Sequence, residues 1–174
     1  HSAPDVKQQL AAVRMLFDWL ITGQILPHNP AAAVRGPKHV VKIGKTPVLD
    51  GKEWRKLLDA IPTETVRDRR DRALIATLTY SFARIGAALK MKVEDLRPKG
   101  AGWELRLHEK GGKHHVMPCH HSLAEALRAY IDAADIAEDH KGWLFRTARG
   151  HTATVLSEQP MGQTDAWRMI RRRA

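Results

Sequence analysis

Residues 27–48, PHNPAAAVRGPKHVVKIGKTPV, decide how this 174-residue chain can be divided. Four prolines and two glycines fall within them. Proline removes a backbone donor and clashes with the preceding helical turn, so no helix or inner strand is expected to cross the stretch. Arg35, Lys38, Lys42 and Lys45 stand there without one Asp or Glu beside them. Unopposed like charge extends a chain and leaves it ready to meet phosphates. The segment therefore reads as a basic linker, with residues 1–26 before it and a second domain, 49–174, after it.

Each side carries its own pattern. From Pro4 to Thr22 the residues Val6, Leu10, Val13, Phe17, Leu20 and Ile21 recur at helical spacing, and Gly23 stands where a helix would end. His1 and Ser2 look like an expression remnant and are set outside this reading. Beyond the linker, Asp50 and Glu53 stand three apart ahead of Trp54, Leu57 and Leu58, the spacing of a capping box. The stretch VRDRRDRALIATLTYSFARIGAALKM then turns from charged to apolar, as a helix does when it runs from the surface into a core. Trp103, Leu105 and Leu107 alternate with Glu104, Arg106 and His108, which predicts a strand with the charged set facing out. The glycines of KGGK supply a turn, and His114 to Pro118 returns as the paired strand. Residues 122–134 read as another helix, GWLF as a short buried segment, and QTDAWRMIRRRA as a helix capped by Thr164 or Asp165. The five tryptophans stand among apolar neighbours and read mostly as core. The class is α+β and mainly helical, with a small antiparallel hairpin or sheet inserted among helices.

Charge narrows the partner. Lys and Arg number 29 against 19 Asp and Glu, a net charge of +10, which favours a polyanion, above all duplex DNA, over a membrane surface. RNA is the lesser alternative. No apolar run approaches the ~20 residues that span a bilayer, and the single cysteine, Cys119, cannot form an intrachain disulfide. A reducing, cytoplasmic setting is expected. The cluster HHVMPCHH invites a metal, yet strand alternation throws His114 and His115 to opposite faces and no second cysteine pair stands at zinc spacing. No metal or other cofactor is expected, and His114 reads as part of a DNA-facing strand.

Arg84 is the sharpest single signal. In SFARIGAALKM it sits within an apolar helical run, where a cation loses hydration unless an anion meets it. Glu94 or Asp95 could supply that anion, and so could a phosphate. Lys110 and Lys113 flank the hairpin glycines, where lysines are otherwise simply solvated.

Taken together, Arg84 in YSFARIGAALKMKVEDL and Lys110 in HEKGGKHHVMP, 26 residues apart, resemble the tyrosine recombinase, or phage integrase, family. The resemblance implies that Arg84 is the first catalytic arginine, opening a short helix, and that Lys110 is the catalytic lysine on a β-hairpin tip, with Lys113 a competitor for the role. It implies that residues 1–26 are the end of a core-binding domain and 49–174 the first part of an integrase-like catalytic domain. In this family a tyrosine attacks a DNA phosphodiester without metal, and whole proteins act as tetramers on paired sites. Arginine suits such a site because its fork donates two hydrogen bonds to one phosphate, while a lysine of lowered pKa can protonate a leaving oxygen. Three departures accompany the match. No histidine has an arginine three residues later, Ala87 stands where the family commonly has an acid, and the only tyrosines, Tyr80 and Tyr130, are out of place for the nucleophile. The chain is thus expected to be a recombinase fragment, inactive in strand cleavage alone, or alternatively a non-catalytic DNA-binding module. The recombinase reading requires that Arg84 and the hairpin tip meet around one phosphate.

Overall fold

The computed structural model describes residues 1–40, 48–109, 111–150 and 155–173. Lys42, Lys45 and Lys110 lie outside the described residues. Contacts within the chain divide it into two units, His1–Val48 and Leu49–Ala174.

The first unit is one long helix and a returning segment. Helix α1 spans Ala3–Thr22, and its start depends on a residue that the sequence reading had set aside. Ser2 Oγ accepts from the Asp5 N–H while the Asp5 carboxylate accepts from the Ser2 N–H at 3.1 Å, satisfying two donors that the helix leaves free. The Ser2 hydrogen bonds hold the Asp5 carboxyl below its ordinary value. Asn29 draws the chain back onto the helix, donating from Nδ2 to the Arg14 carbonyl at 3.1 Å and to Asp18 Oδ1 at 2.7 Å. No residue of α1 is buried, and Trp19 is two-thirds exposed rather than core. Residues 34–40, with Pro37 among them, form no regular element.

In the second unit, helix α2 (Gly51–Ala60) begins where the capping box predicts. Asp50 Oδ1 accepts from Lys52 N and Glu53 N, and Glu53 Oε2 accepts from Asp50 N. Helix α3 (Val66–Ser81) starts on a second such box, Thr65 with Asp68, and carries Ala73, Leu74, Ile75, Ala76 and Thr77 into the core. It ends at Phe82, and the four-residue helix α4 (Ile85–Ala88) follows. The long apolar run is therefore two helices, because Phe82 takes the left-handed conformation that closes helices.

A 3₁₀ turn, Val93–Asp95, leads into a three-stranded antiparallel sheet of order β1 (Leu96–Lys99), β2 (Gly102–His108), β3 (His114–Cys119). The predicted hairpin is β2 and β3, in register from Trp103 opposite Cys119 to His108 opposite His114. Strand β1 is additional. Leu105 and Leu107 face the core, as their alternation requires. Glu104, expected outward, is instead buried, because β1 brings Arg97 and Lys99 over it. Lys99 and Arg97 hold its carboxyl below the ordinary carboxylate value.

Helix α5 (His121–Ala133) packs on α3 and contributes Leu123, Leu127, Tyr130 and Ile131 to the core. Leu144 and Phe145 of GWLF are fully buried, and the Tyr130 hydroxyl donates to the Leu144 carbonyl at 2.8 Å. A second hairpin that the sequence did not signal, β4 (Arg146–Arg149) with β5 (Val155–Pro160), precedes α6 (Gln163–Arg173). Thr164 and Asp165 thus fall inside the first turn of α6 rather than at its cap. Among the other tryptophans, Trp54 and Trp103 pack on the core, Trp143 lies 3.1 Å under the Lys92 ammonium, and Trp167 is more than half exposed.

Candidate nucleic-acid interface

The end of α3 is built to stop. Thr77, Thr79 and Ser81 each turn the side-chain hydroxyl back to the carbonyl four residues earlier, which competes with helix continuation. Ser81 Oγ also accepts from the Ala83 N–H at 3.3 Å, fixing the turn around Phe82. Arg84 then becomes the N-cap of α4, its carbonyl accepting from Ala87 N at 2.8 Å and Ala88 N at 3.1 Å. Ala87 and Ala88 face inward, so the arginine faces out. Its side chain is 79% exposed, which overturns the expectation of a desolvated cation inside a helix.

Glu94 and Asp95 are not its partners. The fully buried Asp95 carboxylate instead accepts from Lys92 N at 2.8 Å and Arg106 Nε at 2.6 Å, with His108 Nε2 at 3.1 Å from both oxygens. Its hydrogen bond pushes the Arg106 guanidinium up from its ordinary value. These bonds pin the outer face of β2 directly before the turn. The next residue, Glu109, closes the turn by donating its N–H to the Lys113 carbonyl at 2.7 Å. Gly111 and Gly112 supply the positive φ angles, +81° and +74°, that the reversal needs.

The hairpin end and Arg84 meet. Arg84 Nη1 donates to Glu109 Oε2 at 2.6 Å. A groove of about 820 Å³ runs between them, lined by Ser81, Phe82, Arg84, Leu107, Glu109, Lys113, His114 and His115. Of the sequence-derived candidates, the structure brings Arg84, Lys113 and His114 together here. Lys110 follows Glu109 in the chain but is not among the described residues. Arg35 and Lys38 are exposed and belong to the first unit. His115 lines the groove as well as His114, although the two alternate along the strand.

Glu109 and Phe82 escaped the sequence reading. An acid beside KGGK was legible as a groove anion only once its strand was known to lie against Arg84. Nothing in the local pattern marks a phenylalanine as a helix terminator.

The two tyrosines are placed elsewhere. Tyr130 is buried, which raises its hydroxyl to about 12. Tyr80 stacks on His120 with ring centroids 4.6 Å apart. Burial likewise raises the Cys119 thiol to about 11.

An exposed arginine set against a glycine-tipped hairpin carrying further cations can hold an anion between them. The Phage integrase family model matches residues 47–174. The chain belongs to the phage integrase family, the tyrosine recombinases.

Relatives within the family are distant but extensive. The tyrosine recombinase XerC of Azotobacter vinelandii is 30% identical over 159 residues, covering 91% of this chain and 52% of that protein. XerC of Myxococcus xanthus is 28% identical over 131 residues, covering 75% of this chain and 42% of its own. This chain thus spans about half the length of the curated relatives it matches. Among solved structures, the XerH site-specific recombinase bound to difH substrate in a pre-cleavage complex superposes with a TM-score of 0.56 at 17% identity, over 79% of this chain and 40% of that one. The shared fold is that of the recombinases. Among the described residues no helix is long and apolar enough to cross a membrane.

Proposed function

We propose that this chain is part of a site-specific DNA recombinase, in which residues 49–174 form the first portion of the catalytic domain and Arg84 binds the phosphate to be cleaved. The observation that carries the reading is the Arg84 to Glu109 contact, which sets the guanidinium against the hairpin end that carries Lys113, where Lys110 follows Glu109 in sequence. Residues 1–26 then correspond to the end of a core-binding domain, and 27–48 to a basic tether whose Arg35, Lys38, Lys42 and Lys45 follow the DNA backbone.

The division of labour follows from chemistry. As a tyrosine attacks phosphorus, charge grows on the non-bridging oxygens, and the Arg84 guanidinium, once the phosphate has displaced Glu109, stabilises it. An ammonium at the hairpin turn, Lys110 or its neighbour Lys113, protonates the departing oxygen. His114 and Lys113 extend the cationic wall along the backbone. The His-x-x-Arg box and the nucleophile are not within these residues, and we infer that this chain alone binds duplex DNA without cleaving it. Whole recombinases of this kind pair their sites as tetramers, and the same is proposed for a longer protein containing this chain.

The test is trapping of a covalent protein–DNA adduct on a nicked-site duplex, using a longer protein that supplies a His-x-x-Arg box and a tyrosine. Arg84→Ala is expected to lower the rate by roughly 100-fold or more, the scale of losing one pre-positioned donor to a developing oxyanion. Cleavage near the parental rate overturns the assignment. Binding by the present chain is expected to be steeply salt-dependent and to favour duplex DNA over duplex RNA. A non-catalytic clamp is the second reading, favoured by Ala87, a buried alanine where an acid commonly supports the first arginine. Unimpaired DNA binding with no adduct from any longer protein would establish it.

A further inference from the structure

Phe82 is held in a state that folding alone does not explain. Its φ and ψ are +52° and +24°, a left-handed conformation that is uncommon for a bulky residue because Cβ crowds the following carbonyl. Among the described residues, Gln24 and Asp135 are the other non-glycine positions of this kind, and both carry polar side chains. Phe82 is also 91% exposed, the most exposed large apolar side chain described. A strained backbone and an almost fully hydrated ring are two costs with little packing gained among the described residues. Glycine would close α3 without either.

The ring's location indicates what covers it. Phe82 lines the same groove as Arg84, Lys113, His114 and His115, and stands two residues before the arginine. Neutral apolar partners are disfavoured in such surroundings, since seating one would desolvate the cations beside it. A nucleic-acid strand satisfies both, presenting anionic phosphates to the cations and flat bases and sugars to an aromatic face.

We propose that Phe82 is a DNA contact in its own right, its ring packing on the nucleoside next to the phosphate held by Arg84. The left-handed turn is what aims it, because a right-handed residue here would continue α3 and carry the side chain round with the helix. The proposal rests on the groove being the DNA site, and it adds an apolar, salt-independent grip to the cationic one. Backbone strain kept at such a position is consistent with a role in binding.

The experiment uses this chain, a duplex of about 30 base pairs, and titrations at several salt concentrations, with Phe82→Gly, Phe82→Ala and Arg84→Ala. Both Phe82 variants are expected to bind roughly tenfold or more weakly at every salt concentration, with the slope of log affinity against log salt unchanged, since no cation is lost. Arg84→Ala should instead reduce that slope by about one. Thermal unfolding separates contact from structure: Phe82→Gly should melt no lower than the parent and above Phe82→Ala, which keeps the strained backbone. Parental affinity in either Phe82 variant overturns the proposal, as does a Phe82→Gly protein that melts well below the parent. If Arg84→Ala changes neither affinity nor slope while both Phe82 variants lose binding, the aromatic contact stands and the Arg84 assignment falls.

Discussion

Two arginines near opposite ends of the same stretch of sequence lead very different lives. Arg70 is 3% exposed, donates from Nε and Nη2 to Asp71 and from Nη1 to the Arg146 carbonyl at 2.8 Å, and is enclosed by core. Arg84 is 79% exposed and, among the described residues, makes one ion pair, to Glu109. Asp71, fully buried, also receives Arg172 at 3.3 Å and Arg173 at 3.0 Å from α6, joining that helix to α3. A structural arginine is recognised by a complete set of partners, because burial makes every missing one costly. One that keeps most of its donors free is available to a ligand. The contrast separates an arginine that holds the fold from one left exposed at the groove.

The largest effect tests the structural half. Asp71→Ala leaves Arg70 buried without its carboxylate and releases Arg172 and Arg173, and is expected to cost about 3–5 kcal/mol in urea unfolding. A loss under about 1 kcal/mol would erase the distinction. Arg84→Ala, by contrast, should change unfolding free energy by no more than about 0.5 kcal/mol, as an exposed residue does, while weakening DNA binding by about 1–3 kcal/mol. Glu109→Gln should sharpen the contrast in the other direction. With the competing carboxylate removed, duplex DNA binds several-fold tighter at low salt, an effect that fades as salt rises. A fall in affinity would mean that Glu109 positions Arg84 rather than competing for it.

Acid provides the smallest, most local test. Lys99 and Arg97 lower the Glu104 carboxyl in the folded protein. The stability this linkage contributes is complete above the unfolded carboxylate value of about 4.3. It is lost as pH falls from there through the lowered folded value. Urea midpoints measured from pH 6 to pH 3 should therefore drop less steeply in Glu104→Gln than in the parent. Equal slopes would show that the buried glutamate is not linked to acid stability.

How much of this was legible in sequence depended on whether a signal was local. The Asp50–Glu53 box and the glycine turn with its alternating strands describe their own geometry, and α2 and the β2–β3 hairpin follow them. Strand β1 is four residues with a proline inside it, and β4 is equally short, so neither has enough alternation to show. Glu104 alternated outward correctly along its strand, but its burial depends on β1, which lies across from it. The break at Phe82 was hidden for another reason: apolar periodicity continues through it, and only the backbone angle reveals the stop. That break in turn exposes Arg84, so the residue was found while its setting was misread. Lys113 and His114 were drawn to the groove by the hairpin, whereas Glu109 required knowing what the hairpin leans against.

Asp95 has a mechanical consequence. By gripping Arg106 and His108 it clamps the root of the hairpin to the body of the domain, like the fixed end of a cantilever. A load applied at the free end, such as an anion prising Glu109 from Arg84, meets that clamp before it reaches the body of the domain. Exchange of one anion for another can then proceed while Leu105 and Leu107 stay seated beneath.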